Sequence, residues 1–371
     1  MKSKSFTPSV SLPFLAIIVV LISGVYAIAE PLFEDVHAVP LPMGNYGYRG
    51  MPGGIINLED GRLLLSYSRF LPDGKGDGAI AGKYSFDLGK TWGEEIVLVP
   101  KPMGQGRYCS PSFARLANGD IIISYIYTAD AKPRFAQNYY RRSLDETKSW
   151  GDQLILSPQP GYNLMHNDKF TILSSGRIIA PMAFEFKNPA NDHGGYISYT
   201  FFSDDNAYSW RRSKNEVNVL PVEAQEPDVV ELKDGRLLML MRTYSQYIVE
   251  SYSKDQGQSW SKGEPVKELT LPRYTSSAIC AERIPKTGDL LLLRCSGGPK
   301  EPFHWRTPFV SILSKDDGAT WENERIIGGN PDDDYGYPSL CFLDDIALIS
   351  YHQRDGLHVA RIDVDWFYGQ D

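Results

Sequence analysis

Polar and ionisable side chains recur at one offset ahead of six apolar runs in this chain. They are Arg49 in GYRGMPGG, Arg107 in GRYCSP, Asn167 and Asp168 in MHNDKF, Glu226 in AQEPDVVEL, Thr275 and Ser276 in RYTSSA, and Tyr337 in YGYPSL. Two more arginines stand off that offset: Arg242 closes the run LLMLMR, and Arg306 lies in HWRTPFVSILS. Burying such groups is costly unless each finds a partner, so a set that converges on one place reads as a site. Arg49, Arg242 and Arg306 together suit a carboxylate, one guanidinium gripping it by a bidentate fork and two by flanking charge. Singly, each residue also has a structural reading. Arg49 can brace a neighbouring element with Glu226 or Asp168 as its partner, and Tyr337 can be one core aromatic among 22 tyrosines.

For side chains so far apart in sequence to meet, the apolar runs must converge. The runs are EDGRLLLSY (59–67), ANGDIIISY (117–125), SSGRIIAPM (174–182), KDGRLLMLM (233–241), KTGDLLLLR (286–294) and LDDIALISY (343–351). Each is a turn followed by a buried strand. Between them a second phrase repeats: SFDLGKTW (85–92), SLDETKSW (143–150), SDDNAYSW (203–210), SKDQGQSW (253–260) and SKDDGATW (314–321). The frame reads as a hairpin turn in which aspartate bonds backbone N–H groups, glycine supplies a positive φ and tryptophan covers the turn. Thr147 and Ala207 stand where the other copies have glycine. A period near sixty residues, with four antiparallel strands per repeat, predicts an all-β fold: a six-bladed β-propeller.

With 38 basic and 46 acidic residues the net charge is −8, and no basic run is interleaved with aromatics, which argues against a nucleic-acid partner. Residues 1–29 read as a signal peptide: a basic start, the stretch LPFLAIIVVLISGVY, and Ala27-Ile28-Ala29 as a small-residue cleavage site. An uncleaved membrane anchor is the alternative. Residues 30–371 then form a single propeller domain, secreted or periplasmic, with no membrane contact unless the leader is retained. Cys280 and Cys295 flank a turn and read either as a cross-hairpin disulfide or as two small buried residues. The cysteine spacing does not resemble a zinc site, and the six histidines are scattered, so no metal and no cofactor are expected.

The repeated SFDLGKTW frame, the arginine of GYRGMPGG, the glutamate of EPDVVELKDGRLLMLMR and the tyrosine of YGYPSL together resemble the sialidase (neuraminidase) superfamily of glycoside hydrolases. The resemblance covers about residues 40–366, and YNLMHNDKFTILSSGRIIAP, ERIPKTGDLLLL and RIDVDWFY are similar to a bacterial sialidase-like branch. The frame alone, the Asp-box, is a weak signal; the ordered set Arg, Asp, Glu, Arg, Arg, Tyr is a specific one. The resemblance implies a retaining exo-glycosidase. Arg49, Arg242 and Arg306 become the carboxylate clamp, Tyr337 the nucleophile and Glu226 its base. A neutral phenol suits a substrate whose anomeric carbon bears a carboxylate, because it avoids the repulsion an ionised Asp or Glu would meet.

The general acid implied by the resemblance lies in YSRFLPDGKGDGAIAGKYS: Asp73 at about the family's distance from the box, with Asp77 as alternative. Arg107, His166, Asn167 and Asp168 are placed to contact the rest of the sugar or to serve the scaffold. The chain departs from the family where Gly50, Met51, Pro52, Gly53 and Gly54 replace the usual Ile-Pro after the first arginine. Pockets for N-acetyl and glycerol groups are not recognisable, so a related 2-keto-3-deoxy sugar acid fits as well as sialic acid. The expected partner is a sialylated or other acidic glycan and the expected state a monomer. Two other classes compete: a propeller that binds acidic glycans without cleaving them, and a polysaccharide lyase on the same fold.

Overall fold

A computed structural model describes residues 1, 31–42, 51–71, 75–104, 106–129, 134–187, 194–219, 221–271, 278–296 and 306–369. Arg49, Asp73, Thr275, Ser276 and nearly all of the N-terminal leader lie outside these residues. Each apolar run becomes the second strand of an antiparallel blade, blades 2 and 3 being joined into one nine-stranded sheet by a parallel pairing of Tyr162 with Ala136. In blade 1 the strands are Pro52–Asn57, Leu63–Phe70, Gly76–Ser85 and Ile96–Val99. Blades 2 to 6 have Arg107–Arg115, the split pair Tyr162–Leu164 and Thr171–Ile172, Gln225–Glu231, Cys280–Arg283 and Gly336–Leu343 as their inner strands. The inner strand of blade 1 packs against those of blades 2 and 6, which brings the two ends of the chain's repeat together around one axis. The fold is all-β, a six-bladed β-propeller.

The second strands open on apolar runs without alternation because both faces are covered. Leu63, Leu64 and Leu65 are all completely buried although successive side chains point to opposite faces. The core is accordingly a set of layers between blades. One joins Leu64 of blade 1 to Phe113, Ile121 and Ile123 of blade 2. The Asp-box tryptophans plug these seams: Trp150 packs on that layer and stacks on Phe113, and Trp260 donates its indole N–H to Thr200 of the preceding blade at 3.1 Å.

Sequence shows six apolar runs against five boxes, and the topology explains the mismatch. The sixth blade takes its outer strand, Phe33–Pro40, from the N-terminal end of the chain, where it pairs with Gly356–Asp363. No turn joins its third and fourth strands, so no box is needed. The glycine-free boxes keep the geometry of the others. Ala207 and Thr147 hold φ of 62° and 66°, and their N–H groups donate to Ser203 and Ser143 at 2.9 Å, as Gly89 does to Ser85. Aspartate and serine fix the turn firmly enough to hold a side-chain-bearing residue in the left-handed region.

The register opposes Cys280 to Leu293 rather than to Cys295, and both thiols are free and buried, so the small-buried-residue reading is the one observed. Among the described residues no helix is long and apolar enough to cross a membrane.

Candidate active site

At the end of the propeller away from the boxes, three inner strands begin with one backbone device. Ser110, Glu226 and Tyr337 each precede a proline and hold φ of 52°, 45° and 52°. The ladder register slips between Cys109 and Ser112, Gln225 and Asp228, and Gly336 and Ser339. Such a bulge re-aims a side chain off the sheet, and proline has no N–H to lose from the ladder. A left-handed residue ahead of a proline is strained, by about 1–3 kcal/mol. Tertiary contacts must hold it, and the Asn167 amide does so by donating to the Tyr337 main-chain oxygen at 3.0 Å.

The bulges bring Glu226 and Tyr337 into one cleft with Arg242 and His166, and Arg306 packs against Tyr337. Glu226 Oε1 lies 2.6 Å from Arg242 Nη1 and 3.2 Å from His166 Nε2. Its Oε2 is buried with no hydrogen-bond partner among the described residues, as is His166 Nδ1. The His166 ring stacks on Tyr337 with centroids 5.8 Å apart, and the Arg306 guanidinium sits 5.1 Å from the Tyr337 ring centre. Tyr337 is thus connected to Glu226 through His166. Glu226, Arg242 and Arg306 are all at most 5% exposed, so their charges act in a poorly screened setting.

Burial alone would push the Glu226 carboxyl up, but Arg242 first, then His166 and Arg306, outweigh it and hold the group at about 2. Burial pushes the His166 imidazole down; Glu226 opposes this, while Arg242, Lys169 and Arg306 add to it. At neutral pH the site therefore holds an ionised carboxylate, a neutral imidazole and two guanidinium groups, a net positive cleft suited to an anionic ligand.

Two lobes flank Tyr337 and His166. A cavity of about 630 Å³ is lined by Arg69, Lys75, Arg107 and Tyr108, and one of about 210 Å³ by Glu226, Arg242, Tyr196 and Tyr244. Arg107 therefore shares the cleft, in the larger lobe. The smaller lobe adds residues that sequence reasoning missed: Tyr162, Tyr196 and Tyr244, with Arg134 lying 3.9 Å over the Tyr162 ring. The tyrosines look like ordinary strand residues in sequence; Arg134 lies directly ahead of Phe135–Ser143, one blade before Tyr196.

Asp168 faces the other way along the axis. Its carboxylate accepts the Leu340 N–H at 3.1 Å, and beside it Lys169 bonds Asp228 at 2.8 Å. A Cβ on Gly54 would stand 2.5 Å from Asp168 Oδ1, and one on Gly53 would stand 2.5 Å from Pro111 Cγ. The glycine-rich departure from the family pattern is thus a close approach of blades 2 and 3 to blade 1. Asp77 gives its carboxylate to Arg69 at 2.8 Å and to the Ala79 N–H at 3.0 Å. Arg49 and Asp73 lie outside the described residues.

An Asp-boxed six-bladed propeller with a buried arginine–glutamate pair and a tyrosine at its axis is a sialidase-like protein by class. The chain belongs to the BNR repeat-like domain family, whose pattern matches residues 56–349. It is 24% identical over 344 residues to the sialidase of Micromonospora viridifaciens, covering 84% of this chain and 50% of that protein. With the sialidase of Clostridium perfringens it shares 23% identity over 245 residues, 58% of this chain and 61% of that one. The chain thus spans about half the length of the first relative and under two thirds of the second. Among solved structures, a Dyadobacter fermentans protein of unknown function superposes with a TM-score of 0.68 at 20% identity, over 89% of this chain and 99% of that one. The NanB sialidase of Streptococcus pneumoniae superposes with 0.65 at 14% identity, over 87% and 70%. These two share the fold.

Proposed function

We propose that this chain is a sialidase-type retaining exo-glycosidase that cleaves the α-ketosidic bond of a sialic acid or a related 2-keto-3-deoxy sugar acid. The observation that carries the reading is the ionised Glu226 held by Arg242 in one cleft with Tyr337, against whose ring the Arg306 guanidinium sits. The substrate carboxylate binds Arg242 and Arg306, with Arg49 as the third cation. In doing so it competes with Glu226 for Arg242. A carboxylate held at about 2 is a weak base, and losing part of its guanidinium contact raises its basicity at the moment the substrate arrives.

The Tyr337 Oη then bonds to the anomeric carbon as the bond to the aglycone oxygen breaks. The phenolic proton passes to Glu226, and Asp73 protonates the departing oxygen. In the second half Asp73 takes a proton from water as its oxygen attacks the anomeric carbon, and Tyr337 leaves with the proton returned by Glu226. Two inversions give net retention. Asp73 is preferred over Asp77 as the acid because the Asp77 carboxylate is committed to Arg69. The reading includes export directed by residues 1–29, a single domain over 30–371, and action as a monomer on extracellular or periplasmic glycans.

One observation favours a second reading, an acidic-glycan-binding propeller that does not cleave. Neither Glu226 oxygen is bonded to Tyr337: Oε1 meets Arg242 and His166, and Oε2 has no hydrogen-bond partner among the described residues. Incubating the full chain with a panel of α-ketosides of nonulosonic acids separates the two. Hydrolysis adds the mass of water and releases the α-anomer first. A lyase would leave an unsaturated sugar that absorbs in the ultraviolet. Binding with no product from any ketoside in the panel would leave the binding module as the correct reading.

A further inference from the structure

Ring closure brings together histidines that are scattered in sequence. His37 on Phe33–Pro40 lies directly opposite His358 on Gly356–Asp363, with the two rings stacked 4.2 Å apart at 18°. Asp355, in the turn just ahead of His358, stands against both. Its Oδ1 is 2.9 Å from His358 Nε2 and its Oδ2 is 3.8 Å from His37 Nδ1. One ligand atom from each of the three residues falls within 4.8 Å of the others. This cluster lies at the outer strands of blade 6, apart from the cleft that holds Tyr337.

The surrounding bonds set which nitrogen of each ring is available. His37 Nε2 is 3.0 Å from the Asp355 main-chain oxygen, which can only accept, so the hydrogen sits on Nε2 and the Nδ1 lone pair faces the Asp355 carboxylate. His358 Nδ1 is 2.9 Å from Asp35 Oδ2. Asp35 is itself anchored by the Tyr351 hydroxyl at 2.9 Å and Gln353 Nε2 at 3.3 Å. His358 thus presents Nδ1 to Asp35 and Nε2 to Asp355, and either a second proton or a metal ion lies between Nε2 and the Asp355 carboxylate. Two imidazole nitrogens that converge on one carboxylate can be bridged by protons or by a metal ion. A carboxylate or carbonyl behind each imidazole is also the outer arrangement that orients metal-ligating histidines.

We propose that His37, Asp355 and His358 form a site for a divalent transition ion of the zinc class, with Asp35 as the outer partner of His358. Two imidazoles and one carboxylate are a donor set that zinc takes in tetrahedral geometry with a water in the fourth position. The three ligands come from the first strand, the last turn and the last strand of the propeller. The ion would act as a clasp on the seam where the N-terminal strand completes the sixth blade.

The test uses the full chain after chelator treatment, titrated with Zn²⁺ alone. Expected are one ion bound per chain by calorimetry and a melting temperature raised by several degrees at saturation. His37→Ala and Asp355→Asn should abolish both effects while leaving the far-ultraviolet circular dichroism of the metal-free chain unchanged, since neither side chain is in the core. Asp35→Asn should weaken affinity about 10–100-fold without removing the stoichiometry. Turnover of the metal-free chain should be unchanged, which separates this claim from the proposed activity. The proposal is overturned if Zn²⁺ does not raise the melting temperature, or if His37→Ala and Asp355→Asn bind it as well as the parent chain. A cluster stabilised only by protonation, with melting that depends on pH but not on Zn²⁺, would overturn it equally.

Discussion

The two ends of the propeller use left-handed residues in opposite ways. At the box end, a residue with positive φ is held locally by its own turn. In the last box Asp316 accepts from the Ser314 hydroxyl at 2.9 Å, the Thr320 N–H at 2.8 Å and the Thr320 hydroxyl at 2.7 Å. The Thr320 hydroxyl, together with the Thr320 N–H and Ser314, draws the Asp316 carboxyl below the usual range. The same pattern recurs at Asp87, Asp145, Asp205 and Asp255. At the cleft end, Glu226 and Tyr337 hold positive φ against a following proline, and what fixes them lies outside their own turn: Asn167 of blade 3 for Tyr337, and Arg242 of the paired strand with His166 of blade 3 for Glu226. A repeated turn whose aspartate and serine make the same hydrogen bonds each time marks scaffold. Backbone strain combined with an unpartnered carboxylate oxygen and imidazole nitrogen marks a place that expects a ligand.

Breaking the buried ion pair should show the contrast most strongly. Arg242→Ala leaves Glu226 charged, buried and without its main partner, and such losses cost about 3–5 kcal/mol. Thermal melting should fall accordingly. Adding Glu226→Gln to that variant should recover part of the loss, because the uncompensated charge is gone; a double variant no more stable than Arg242→Ala would mean the pair is not coupled as described.

The box end should respond in the complementary sense. Asp316→Ala removes three hydrogen bonds from one turn and should cost about 1–3 kcal/mol in denaturant unfolding. Turnover per folded molecule should not change. A drop in turnover without a drop in stability would erase the distinction between the two ends.

A smaller effect follows from the axis between them. Burial raises the Asp168 carboxyl to about 7 despite the Leu340 N–H and Lys169, with Asp228 adding to the rise. Its folded pKa thus exceeds the unfolded one. That contribution to stability is full below about pH 4 and is lost as pH rises towards 7. Asn cannot titrate and still offers an acceptor to Leu340. The melting temperature of Asp168→Asn relative to the parent chain should therefore climb by a few degrees from about pH 4.5 to about pH 7.5. A flat difference would show that Asp168 does not titrate in this window.

The fold was largely legible because the turn phrase and the apolar runs are local signals repeated often enough to check one another. Even the boxes lacking glycine, at Thr147 and Ala207, follow the rule once serine and aspartate are seen as its determinants. What sequence did not reveal was the N-terminal strand closing blade 6, since FEDVHAVP is mostly exposed and has no turn phrase beside it. In the site, Glu226 and Tyr337 stood out through the repeat offset and the family resemblance, and Arg242 and Arg306, off that offset, through the family resemblance and their fit to a carboxylate clamp. A further local sign was present and unused: Ser110, Glu226 and Tyr337 all precede proline at the same place in their blades. The role of His166 as the link between Glu226 and Tyr337, and the tyrosines of the smaller lobe, depend on contacts between blades. No spacing within one repeat carries that information.

The central claim is that Tyr337 and Glu226 act as one catalytic unit. Turnover on a reactive α-ketoside and melting temperature, measured for Tyr337→Phe, Glu226→Gln and the double variant, test it most directly. The account expects each single change to lower turnover by about 10²–10⁴-fold, and the double variant to be little worse than either single, because residues serving one step are strongly non-additive. Tyr337→Phe keeps the ring that stacks on His166 and should melt like the parent chain. Parent-like turnover in Tyr337→Phe, or losses that multiply in the double variant, would contradict the account.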